Sequence, residues 1–275
     1  MINLPIPLTD TDERKIYSEC ADDLSNKTAL GYLEEVVESA NAYETYVPRD
    51  IEHFPKVEIN KGDEKEILKV YKDKFAKQDS IGKKYYEAIM KNAHGRCPIC
   101  GGAKLKNLDH FLPKSIYPLL CVTPANLVPT CRDCNMDKRD YFSTNYYLLP
   151  LNPYFDKNDD LWLACCVTYK TDKSYEVKFF NGYDKSLDEN LWNKYETHLR
   201  VFDLDETFSS KACEEIEDCK GLYKRLLDNC GPYEVKRSLS EHRRSCESID
   251  RNSWRAALYR ELENRVDEYC EWLSC

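Results

Sequence analysis

Along residues 28–46, apolar side chains fall at Ala29, Leu33, Val36, Val37, Ala40 and Tyr43. Steps of three and four put them on one face, so an amphipathic helix is expected here, with Thr28 as its N-cap. Residues 10–24 predict a shorter helix. Residues 47–62, interrupted by Pro48 and Pro55, read as a connector. Residues 63–79 are crowded with Lys, Asp and Glu and predict a solvated helix face. Residues 83–95 predict a helix that stops near Gly95.

The pattern changes after residue 150. Residues 161–180 are rich in β-branched and aromatic residues around Thr171-Asp172-Lys173-Ser174, which predicts two strands and a turn. Beyond residue 185 the helical period returns. Ala212, Ile216, Cys219, Tyr223, Leu226 and Cys230 form one stripe, ended by Gly231-Pro232. Trp254, Leu258, Leu262, Val266, Tyr269 and Leu273 form another. The expected class is α+β, mostly helical, with a central metal-stapled segment and a short β-hairpin after it. Three regions follow: a helical region 1–80, a central module 81–156, and a mixed, then helical, region 157–275. No internal repeat is visible.

Charge singles out the central module. The chain carries −9 overall, yet residues 91–140 carry +4. A chain this acidic does not coat nucleic acid by charge alone. The basic island is where a polyanion is expected to dock. No run reaches the roughly 18 apolar residues of a membrane span, so no membrane association is expected. The N-terminus has no basic stretch leading into an apolar run, as a secretory leader would. A cytoplasmic location is therefore expected.

That location bears on the 14 cysteines, which read as metal ligands and reduced thiols rather than disulfides. Cys97-x-x-Cys100 and Cys131-x-x-Cys134, 30 residues apart, have the spacing of a four-cysteine zinc site. Gly101 and Gly102 give the turn after the first pair room for positive φ. The other ten cysteines read as small buried hydrophobes; Cys165-Cys166, Cys270 and Cys275 offer no usable ligand spacing. His94 reads as a local hydrogen-bonding residue, since four sulfurs already complete a tetrahedron. His53, His198 and His242 have no supporting spacing. By itself the zinc site fits a structural ribbon equally well.

Between the two pairs lie Asp109-His110-x-x-Pro113-Lys114 and Asn126-Leu127-Val128-Pro129, and Asn135-x-x-Lys138 follows the last cysteine. In order, spacing and residue type, residues 94–142 resemble the HNH endonuclease family and its ββα-metal finger. The resemblance covers about a sixth of the chain. It implies that His110 is the general base and that Asp109 and Asn135 hold a catalytic divalent ion. It also implies that Asn126 ties the loop and orients His110, while Cys97, Cys100, Cys131 and Cys134 hold a structural Zn²⁺. The family often has His at position 135; Asn suits Mg²⁺ or Mn²⁺ better than a softer metal. An unperturbed imidazole titrates near 6.5, which suits a base. Strand alternation sends Asp109 and His110 to opposite sides. Lys114, Lys138 and Arg139 are the candidates for phosphate contact. Asp109 could instead cap the loop, and Lys138 could be a solvated helix residue.

Pro150-Leu-Asn152-Pro153-Tyr154-Phe155-Asp156 and Leu161-Trp162-Leu163 resemble the stretch after the finger in a group of bacterial HNH proteins. That group includes the HNH subunit of two-gene Septu-type antiphage systems, whose partner is an ATPase. The resemblance implies a metal-dependent endonuclease acting on DNA, double-stranded by expectation, as a defence effector with an ATPase partner. The alternative is a catalytically inactive zinc-finger module that binds nucleic acid or protein. A restriction or homing enzyme would need a basic recognition domain, and the charge count finds none outside the finger.

Overall fold

A computed structural model describes residues 1–157 and 159–274. Cys275 lies outside the described residues. The chain divides into two compact units, one over residues 2–157 and one beyond residue 157.

The first unit begins with α1 (Glu13–Asp22), capped by the Asp12 carboxylate on the Arg14 N–H. A 3₁₀ turn, Ala29–Tyr32, leads into α2 (Leu33–Tyr46). Thr28 does not cap it; its own N–H and hydroxyl are bound by Asn26 Oδ1 instead. Then come α3 (Lys61–Lys69), a π-turn (Val70–Phe75) and α4 (Lys83–Lys91). Strands β1 (Asn107–His110) and β2 (Leu127–Thr130) pair antiparallel, with His110 opposite Leu127 and Asp109 opposite Val128. β1 carries Asp109 and His110 at its end. Helix α5 (Arg132–Lys138) completes a ββα arrangement.

The solvated reading of residues 63–79 holds for the lysines and fails for the apolar residues among them. Ile67, Val70 and Phe75 are fully buried. They share a core with Ile16, Tyr17 and Cys20 of α1, Ile89 of α4, and Leu108, Cys121 and Leu127 around the strand pair. A second core holds Tyr43, Val47 and Phe54 with Phe111, Leu112, Leu120, Val128 and Leu149. Adjacent strand residues Leu127 and Val128 enter different cores because strand side chains alternate. Hydrophobic burial on both faces therefore fixes the short strand pair. Rigidity here does not rest on a metal alone.

The Pro-Tyr-Phe-Asp stretch closes the second core. Asp156 accepts from the Asn152 N–H and the Tyr146 hydroxyl. The Tyr154 hydroxyl donates to the Leu127 carbonyl at 2.7 Å.

In the second unit, β3 (Leu163–Tyr169) and β4 (Tyr175–Asn181) form the predicted hairpin. Helices α6 (Glu189–Val201), α7 (Leu204–Cys230), α8 (Pro232–Glu247), α9 (Trp254–Asn264) and α10 (Val266–Ser274) follow. Gly231, at φ 82°, separates α7 from α8. The stripe from Trp254 to Leu273 is split between α9 and α10 at Arg265. Asn252 Oδ1 accepts from the N–H groups of Trp162 and Leu163, which seats the start of the hairpin. Trp162 stacks on Tyr195 at 5.2 Å. No helix among the described residues is long and apolar enough to cross a membrane.

Candidate active site

The four sulfurs of Cys97, Cys100, Cys131 and Cys134 lie within 4.8 Å of one another and are buried. Cys100 Sγ and Cys131 Sγ are 4.0 Å apart. Zn–S bonds of about 2.3 Å at tetrahedral angles place sulfurs about 3.8 Å apart. The donor set therefore fits one zinc ion. Gly101, at φ 73°, turns the chain after the first pair, and its N–H reaches the Cys97 carbonyl at 2.8 Å. Gly102 needs no such conformation. The second pair opens α5, where Cys131 Sγ accepts from the Cys134 N–H at 3.4 Å. His94 is exposed and outside the sulfur cluster. Every cysteine among the described residues is a free thiol.

Asp109, His110, Lys114, Asn135 and Arg139 line one cleft of about 370 Å³, together with Tyr71, Tyr86, Pro113 and Asp140. Although alternation separates Asp109 from His110 along β1, both line this cleft.

His110 is 5 % exposed. Its Nε2 lies 2.9 Å from the Cys121 carbonyl oxygen. A carbonyl only accepts, so Nε2 carries the proton and the lone pair sits on Nδ1. Burial, reinforced by the Lys114 charge, lowers its pKa to about 3. That departs from the near-neutral titration expected of a free imidazole. His110 is thus a neutral acceptor across the physiological range, and a weaker base than an exposed histidine.

Asn126 is fully buried. Its Oδ1 accepts from the Leu112 N–H at 2.7 Å. Its Nδ2 donates to the carbonyls of Leu112 at 3.1 Å and Leu120 at 3.3 Å. None of these side-chain hydrogen bonds goes to His110. It fixes the chain at Leu120, one residue before the carbonyl that holds the imidazole, so its hold on His110 is indirect.

Lys138 differs most from expectation. It is 2 % exposed, so it is not solvated, and it is not among the residues that line the cleft. Its ammonium lies 2.9 Å from Asp109 Oδ2 and 2.7 Å from the His110 carbonyl oxygen. Cys134 and Lys138 are four residues apart on α5 and share a face. The turn that points one into the sulfur cluster points the other inward too. Burial raises the Asp109 pKa, and Lys138 opposes the shift. Lys114 and Arg139 remain at the cleft with at least part of their surface open.

Two contributors escaped the sequence reading. The Cys121 carbonyl is a backbone atom that no motif names. Tyr71 meets the His110 ring edge-on at 4.5 Å. Its trace in the sequence is the spacing Ile67-Val70-Phe75 within a charged segment, which an unbroken α-helix does not explain.

No family model matches the chain, and no solved structure matches it. Two curated proteins are similar over part of their length. One is protein ea31 of Escherichia phage lambda, 38 % identical over 94 residues, covering 34 % of this chain and 32 % of that protein. The other is Septu protein PtuB of Bacillus thuringiensis, 33 % identical over 81 residues, covering 27 % of this chain and 31 % of that protein. The similarity spans about a third of the length of each relative.

Proposed function

We propose that residues 81–156 carry an HNH-type, metal-dependent endonuclease that hydrolyses DNA phosphodiester bonds. The observation that carries this reading is the convergence of Asp109, His110 and Asn135 on one cleft, with the His110 lone pair on Nδ1. His110 accepts the proton of the attacking water at Nδ1, while Cys121 holds the opposite side of the ring. Asp109 and Asn135 offer oxygen donors, hard ligands that leave most of a coordination shell to water and phosphate. A Mg²⁺ or Mn²⁺ ion on them would supply charge to the phosphate and the leaving 3′-oxygen. Lys114 and Arg139 contact the phosphate. Asn126 keeps the loop closed.

The similarity to Septu protein PtuB supports a setting in antiphage defence; an ATPase partner and a cytoplasmic site of action belong to the same proposal and rest on the sequence resemblance. The choice of DNA, and of double-stranded DNA, rests on the resemblance to HNH enzymes rather than on any residue.

A catalytically inactive zinc-stapled binding module is the competing reading. The Asp109–Lys138 ion pair favours it, since a carboxylate already neutralised has less call for a divalent ion. The test is cleavage of supercoiled plasmid in Mg²⁺ or Mn²⁺, alone and with the ATPase subunit of a Septu system, beside a His110→Ala variant that retains zinc. Cleavage by the wild type only is the expected result. Equal cleavage by both rejects His110 as the base. No cleavage under either condition rejects the nuclease in favour of the binding module.

A further inference from the structure

Tyr71 lies outside the Cys97–Lys138 stretch yet forms part of the cleft wall. Its ring meets that of His110 at 68°, with centroids 4.5 Å apart. Its hydroxyl donates to the Leu108 carbonyl at 3.3 Å, and Phe75 stacks against it at 5.7 Å. The Lys114 ammonium sits 5.6 Å from its ring centroid.

This seat depends on the π-turn. Val70 and Phe75, five residues apart, are both fully buried. In an α-helix they would point about 140° apart. The N–H of Ala76 reaches back five residues to the Tyr71 carbonyl at 2.8 Å. The extra residue per turn turns Phe75 into the core and leaves Tyr71 facing the strand end. Single π-turns within helices recur at functional sites.

The geometry points to Tyr71 as the positioning residue of the His110 imidazole, supplied by the N-terminal helical region rather than by the finger. This rests on the nuclease reading for its consequence, not for its geometry. One hydrogen bond, to Cys121, fixes a point on the ring but leaves the plane free to swing about it. An aromatic ring packed edge-to-face removes that freedom. The Lys114 ammonium also lies within cation–π range of this ring, 5.6 Å from its centroid.

The test compares Tyr71→Phe and Tyr71→Leu in the full-length, zinc-loaded protein. The first readout is the ¹H–¹⁵N spectrum of the His110 ring, assigned by its loss in His110→Gln. The second is kcat and KM for plasmid cleavage. Tyr71→Phe keeps the ring and is expected to keep the single Nε2–H tautomer and the wild-type rate. Tyr71→Leu is expected to shift and broaden the His110 ring signals, while the Cys121 carbonyl keeps the proton on Nε2, and to lower kcat by up to about 10²-fold at unchanged KM. Unchanged His110 signals and kcat in Tyr71→Leu overturn the assignment. So does a Tyr71→Phe variant that loses as much as Tyr71→Leu. If Tyr71→Leu loses zinc, Tyr71→Met, of similar bulk, faces the same criteria. Should the wild type not cleave at all, the nuclease reading falls, and the ring signals alone decide the role of Tyr71.

Discussion

The ammonium of Lys138 lies 2.9 Å from Asp109 Oδ2, and both groups are largely shut off from water. A buried pair of this kind adds little net stability, but losing one partner strands the other. Lys138→Met should therefore destabilise the first unit by about 3–5 kcal/mol. Adding Asp109→Asn to it should recover much of that loss. Denaturant unfolding of the two variants and the double variant measures the coupling; additive losses would mean that the pair does not interact.

The four-sulfur cluster and the apolar cores hold different parts of the unit. One zinc per chain is expected, lost in Cys134→Ser. Metal removal should raise hydrogen exchange over residues 97–104 and 131–138. Exchange in α1 and α2 should change little, because their packing against Ile67, Val70 and the strand residues does not include the four clustered cysteines. Exchange mass spectrometry before and after chelation decides this; loss of protection throughout would put the zinc in charge of the whole unit.

Asn126→Ala leaves the Leu112 N–H and the Leu112 carbonyl without the side chain that pairs them, while the Leu120 carbonyl keeps the Thr123 N–H at 3.3 Å. Such groups cost about 1–3 kcal/mol each when stranded, so a loss of at least about 2 kcal/mol is expected. Asn126→Asp supplies acceptors only and should not rescue. Thermal melts at matched zinc content test both variants.

The His110 pKa falls from 6.5 to about 3 on folding. A folded state that holds the neutral imidazole gains stability that is fully present above pH 6.5. That stability is lost as the pH falls through 3, because the unfolded chain binds the proton first. Between those limits the wild type should lose about 1.4 kcal/mol per pH unit relative to His110→Gln. Between pH 7.5 and 5.5, which straddle 6.5, the unfolding free energy of the wild type should fall by about 1.4 kcal/mol more than that of His110→Gln. Parallel pH dependence would show that the imidazole is not held neutral.

Lys114 and Arg139 should behave unlike Lys138. If DNA occupies the cleft, Lys114→Ala and Arg139→Ala should each weaken binding across sequences and lower the salt slope by about one, with little change in stability. Fluorescence anisotropy over a range of salt concentrations tests this. An unchanged slope would place the DNA elsewhere.

Much of the site could be read from the sequence because its parts are local. A Cys-x-x-Cys turn brings two sulfurs together within four residues. Asp109 and His110 are neighbours on a strand, and Asn135 follows Cys134 directly. Their mutual arrangement is set by short-range geometry that spacing reports. The hairpin of residues 161–180 and the helices after residue 185 were likewise written in periods of two and 3.6.

What sequence could not decide depends on contacts between distant segments. Lys138 has the composition of a surface residue; only the rotation of α5 fixed by Cys131 and Cys134 turns it inward to Asp109. The ordinary titration of His110 gives way to burial beneath Cys121 and Tyr71, which come from other parts of the chain. The charged run 63–79 hides three core residues because a π-turn, not an α-turn, sets their phase. Residue type and spacing determined which groups are available. Long-range packing alone decided which of them are solvated, since burial and its electrostatic cost belong to the folded surroundings and not to the local sequence.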